Sequence, residues 1–158
     1  MTAQDIANRL EEIYRGEPWF GESLQTKLKT VNNETAYRQV VFNKHSIAEI
    51  LSHMEYWRKS FIHQLKGDTS VTFSGQSPEN WPDVDALKKI GWKKQQASFE
   101  ETHNALVNLL KKINARLPDG QGNSLSEELI TNLNGLVDHD VYHMGQIGIV
   151  KSLIKNGL

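Results

Sequence analysis

Apolar residues recur every three or four positions along four stretches of this chain, and no stretch alternates apolar with polar as a half-buried strand would. The pattern predicts an all-α protein. A first helix is expected over residues 3–14, with Thr2 as N-cap, Ile6, Leu10 and Ile13 on one face, and Gly16, Pro18 and Gly21 ending it. From 19 to 44 the periodicity is weaker, and short helical turns are expected at 23–28 and 34–41.

A second long helix opens with the capping box Ser46-Ile47-Ala48-Glu49 and is expected to run to residue 66. Ile47, Ile50, Leu51, Met54, Trp57, Phe61 and Leu65 form its apolar stripe, with His53 on the border, able to face either way. The connection 67–83, with Gly67, Gly75, Pro78 and Pro82, is long for a bundle and predicts a crossover or a segment covering a site. A third helix is expected over 84–117, where Phe99, His103, Leu106, Leu110, Ile113 and Leu117 make a coiled-coil-like seam, before Pro118-Asp119-Gly120 stops it. The last helix is expected over 126–155, burying Leu129, Leu133, Leu136, Val137, Met144, Ile147, Val150 and Ile154.

At 158 residues the chain fits one domain, 1–158, large enough to bury roughly 70% of the surface its unfolded form exposes. Eighteen basic against 19 acidic residues, with no dense Lys/Arg run, give none of the charge that nucleic-acid binding demands. No apolar run approaches the roughly 20 residues that span a bilayer, and the first residues lack a basic segment followed by an apolar core. A cytoplasmic protein acting on a small molecule is the expectation. The absence of cysteine excludes disulfides, thiolate ligands and a cysteine nucleophile, so any sulfur chemistry must use an outside thiol.

Candidate chemistry lies in His139-Asp140-Val141-Tyr142-His143. Residues i and i+4 of a helix share a face, so both imidazoles can converge on one metal ion, although such pairs also arise by chance. The spacing is that of the H-E-x-x-H helix of zinc proteases, with Asp140 in place of the glutamate, but Met144 to Leu158 offer no downstream ligand. A third ligand must come from upstream, and His45, His53, His63 and His103 are open to the role. His45 reads as solvated loop, His63 as exposed and His103 as a core histidine bonded to a polar partner. Asp140 projects near the centre of the apolar stripe, where an ionised carboxylate needs a partner: the metal, a ligand histidine or a cation on a neighbouring helix. It is the candidate catalytic residue, with Tyr142 and Gln146 as nearby polar groups. Trp19, Trp57, Trp81 and Trp92 read as core rather than chemistry.

The segments Ser46-Ile47-Ala48-Glu49-Ile50-Leu51-Ser52-His53-Met54-Glu55-Tyr56-Trp57 and His139-Asp140-Val141-Tyr142-His143-Met144-Gly145-Gln146-Ile147 resemble the two signature segments of the DinB-like superfamily. That group includes the YfiT-type proteins and the bacillithiol and mycothiol S-transferases. The resemblance implies a four-helix bundle with an up-down-down-up path and a long connection between its second and third helices. It also implies a divalent metal, zinc or nickel before iron or manganese, held by His53, His139 and His143. A homodimer is implied as well, and Gly145 and Gly148 would permit a close approach of helices between subunits or within one. Three functions fit such a site: transfer of a low-molecular-weight thiol to an electrophile, hydrolysis by metal-activated hydroxide, or non-catalytic metal binding.

Overall fold

The computed structural model describes residues 1–41, 44–115 and 125–157, and every regular element among them is helical. The long helices are α1 (Ala3–Arg15), α4 (Ile47–Lys66), α6 (Trp92–Ala115) and α7 (Glu127–Lys155); α2 (Leu24–Leu28), α3 (Asn33–Ala36) and α5 (Val84–Ile90) are short. Side-chain caps set most of the starts. Thr2 Oγ1 accepts the N–H of Asp5 while the Asp5 carboxylate accepts the N–H of Thr2 at 2.7 Å, and Ser46 and Glu49 repeat that reciprocal arrangement at α4. Ser23 and Ser126 cap α2 and α7, and Gly67, at φ 67°, ends α4 in the left-handed conformation glycine adopts without strain.

The four long helices pack as a bundle in which α6 and α7 each lie against both α1 and α4. Ile6, Leu10, Leu51, Met54, Phe99, Leu106, Leu110, Leu133, Val137 and Met144 fill its core. Among the described residues no helix is long and apolar enough to cross a membrane.

Two helical expectations are corrected, at Gly91 and at 34–41. The third helical stretch is broken at Gly91, whose φ of 90° and ψ of 143° turn the chain between α5 and α6. The turn carries Trp92 into the core, where its indole N–H donates to Val31 O at 2.9 Å, so a tertiary contact overrides the helical periodicity. The turn expected at 34–41 is confined to Asn33–Ala36, started by Asn32, whose side chain accepts from Glu34 and Thr35. Gly145 is not a point of close packing within the chain, since a Cβ there would meet nothing within 4 Å, and at Gly148 it would touch only the Lys27 ammonium. The end of the third helix at Leu117 and its stop at Pro118-Asp119-Gly120 lie outside the described residues.

Between α4 and α6 the chain runs over α4 through a single 3-10 turn, Pro78–Asn80, and then α5. The long connection therefore covers α4, and it carries Asn80 and Trp81 to the histidines.

Candidate metal centre

His53 lies on the buried face of α4, and His139 and His143 lie one turn apart on α7, where that helix packs against α4. The His139 Nε2 is 2.9 Å from the Nε2 of His53 and 3.0 Å from that of His143. One ligand nitrogen from each ring falls within 4.8 Å of the other two.

The outer nitrogens decide what the inner ones present. His53 Nδ1 lies 2.7 Å from Asn80 Oδ1 and 3.2 Å from Asn80 O, and both oxygens only accept, so the ring proton sits on Nδ1. Asn80 is oriented in turn by donating from Nδ2 to Gly75 O at 3.0 Å. His143 Nδ1 donates to Gln146 Oε1 at 2.6 Å, and the Gln146 amide donates to the Tyr142 hydroxyl. The Nε2 atoms of His53 and His143 are therefore bare lone pairs, both aimed at His139. Burial pushes His139 down to about 3 and His143 to about 4, with neighbouring imidazoles adding to the shift in both, and it lowers His53 as well. Neutral imidazoles with converging lone pairs are the form that ligates a cation, and the donor set suits a divalent ion of the zinc, nickel or iron type. An ion there would also require His139 to carry its proton on Nδ1, which is buried without a hydrogen-bond partner.

An aromatic stack covers the cluster. Trp81 lies parallel to His53 at 3.9 Å, and His45 lies on its other face at 3.7 Å. His45 is on the exposed loop, as its sequence position suggests, but it is anchored by this stack and by Glu49. Trp92 is core, whereas Trp19 is almost fully exposed and Trp57 stands edge-on to His53.

Asp140 is completely buried, and both its oxygens meet the Arg58 guanidinium: Nη1 to Oδ1 at 3.0 Å and Nη2 to Oδ2 at 2.5 Å. Burial raises the Asp140 carboxyl above its ordinary value and the guanidinium opposes the shift. Arg58 also donates to Met54 O and lies over the Phe99 ring at 4.4 Å. The cation on a neighbouring helix is thus the partner Asp140 has, and it ties α7 to α4 beside the histidines.

The remaining histidines are elsewhere. His103 is buried, its Nε2 2.8 Å from Glu11 Oε1 and its ring against Tyr14, as expected of a core histidine. His63 is half-buried rather than exposed, because Asp68, just past the Gly67 turn, pairs with its Nδ1 at 2.8 Å and Phe73 packs on the ring.

Sequence reasoning missed Arg58, Asn80 and the role of Trp81. Arg58 had a signal: on the helical projection it falls inside the apolar stripe between Met54 and Phe61, a charge as misplaced as Asp140. Asn80 had none, being a loop residue 27 positions from the ring it orients.

No curated protein and no solved structure matches the chain. A family model described as the DinB family matches residues 6–151.

Proposed function

We propose, for a chain that belongs to the DinB family, that His53, His139 and His143 hold a divalent metal ion in a small-molecule enzyme that transfers a low-molecular-weight thiol to an electrophile. The observation that carries the metal site is the convergence of the ring nitrogens, with the Nδ1 protons of His53 and His143 drawn away by Asn80 and Gln146. A bound cation would supply a deprotonated thiol at neutral pH, which a chain without cysteine cannot furnish from its own side chains.

The chain's own residues hold that chemistry in place. Asn80 and Gln146 fix the tautomers of His53 and His143, and Trp81 shields the His53 ring from water. Asp140 is read as a positioning residue that acts through Arg58, setting α7 against α4 so that the histidines from both helices meet. Tyr142 supports Gln146. The setting proposed is the cytoplasm, and the resemblance carries a homodimer with it.

The test is a conjugation panel of metal-loaded protein with bacillithiol, mycothiol, glutathione and coenzyme A against a generic electrophile, beside an ester and amide hydrolysis panel. Thiol-dependent product lost in His139→Ala supports transfer. Metal-dependent hydrolysis without thiol would replace it with the hydrolase, and silence in both would leave a metal-binding domain.

A further inference from the structure

One turn along the α4–α7 groove from the histidines is a cleft of about 140 Å³. Ile50 of α4 and Ile149 and Val150 of α7 form its walls, and Val41, Lys44 and His45 close it from the loop. Its lining also includes Gln146, the residue that accepts the hydrogen bond from His143 Nδ1, and His45 stacks on the tryptophan that covers His53. The cleft therefore shares side chains with the cluster while containing none of its three histidines.

Two of the walls are apolar side chains the fold leaves in water: Val41 is 39% exposed and Ile149 62%. Lys44 lines the same cleft and is exposed, and among the described residues no carboxylate is within ion-pair distance of its ammonium. An apolar cavity of about 150 Å³ accommodates benzene, so this one is sized for a ring or branched chain of about six carbons. Apolar walls beside the exposed Lys44 ammonium suit an apolar group that carries an anionic end.

We infer that this cleft binds the apolar arm of a small carboxylate, with Lys44 meeting its charge, and that such a molecule is the substrate class of the adjacent centre. The inference rests on the reading of the histidine cluster as a reaction centre. The binding half is tested apart from it.

The experiment titrates chelator-treated, full-length protein with benzoate and with benzyl alcohol, followed by tryptophan fluorescence and by NMR of the ligand. Removing metal prevents the carboxylate from reporting on an ion at the histidines. Saturable benzoate binding, roughly two- to fivefold tighter than that of benzyl alcohol, is expected. Lys44→Ala should bring benzoate to the level of the alcohol, and Ile149→Asp should weaken both ligands. Ile149→Ser serves where the charged variant fails to fold. Equal affinity for the two ligands, no saturable binding, or indifference to both Ile149 variants would overturn the inference. So would an Ile149→Asp protein that turns from dimer to monomer with unchanged benzoate affinity, since the face would then be an interface between copies. Benzoate binding that persists in a protein without metal occupancy or activity would retain the cleft and remove only the reaction centre.

Discussion

Arg58 and Asp140 face each other as a two-pronged ion pair across α4 and α7, with their side chains 1% and 0% exposed. Its position is what gives the pair a purpose. Arg58 follows His53 on α4 and Asp140 follows His139 on α7, so the pair bridges the same two helices that bring the imidazoles together.

Removing one partner strands a buried charge. Asp140→Asn and Arg58→Met should each lower stability by about 3–5 kcal/mol, and the double apolar replacement Arg58→Met with Asp140→Leu should recover much of it. Urea denaturation gives the comparison. A single variant costing less than about 1 kcal/mol would show that the pair is solvated rather than sealed.

Metal content should follow the ring nitrogens. Elemental analysis is expected to find about one divalent ion per chain. It should be lost in His53→Ala, His139→Ala and His143→Ala and retained in His45→Ala and His63→Ala. Retention by His53→Ala together with loss on replacing His103 would refute the assignment.

Orientation should matter by less than ligation does. Asn80→Ala and Asp140→Asn should each weaken metal affinity by roughly 10–100-fold, while Asn80→Asp, which keeps an acceptor for Nδ1, should restore most of it. Competition against a chelating dye measures this, and an Asn80→Ala protein of unchanged affinity would show that the tautomer needs no help.

A pH dependence follows from His103. Burial, with the cations of Arg58, Arg15 and Lys111 behind it, lowers this imidazole to about 2 despite Glu11 on its Nε2, and Tyr14 covers the ring. In the unfolded chain it takes a proton below about pH 6.5. The folded form binds fewer protons there, so its contribution to stability is whole above pH 6.5 and declines as pH falls toward 2. Between pH 7 and 5 the wild type should lose about 2 kcal/mol more than His103→Gln. Parallel stability curves for the two proteins would contradict it.

Glycine substitutions should divide by backbone conformation. Gly91 has φ 90° with open space around its missing Cβ, so Gly91→Ala should cost about 1–3 kcal/mol from strain alone. Gly135, within α7 and equally uncrowded, should gain about 0.5–1 kcal/mol on replacement by alanine. Thermal melts that move the same way for both would dismiss the distinction.

The helix starts were legible in the sequence because Thr2, Ser46 and Ser126 act on backbone groups within three residues of themselves. The His139–His143 pair was legible for the same reason of short range, a single helical turn. His53 stood on the border of its stripe, and only the resemblance to a family selected it over His103. Gly91 was hidden because the turn is held by Trp92 reaching Val31, a contact 61 residues apart. Asn80 was hidden likewise, whereas Arg58 was legible: it is a charge inside the apolar stripe of α4, as Asp140 is in that of α7.

Asn80 and Trp81 belong to the strap between α4 and α6, yet they grip a ring that faces the centre. Any ion held by His53 is thereby coupled to an outer segment of chain, and its binding free energy is shared with the closing of that strap. Occupancy of the interior would then be written on the surface as resistance to proteolysis: a filled centre keeps the strap shut, and chelation exposes the peptide bonds around Gly75.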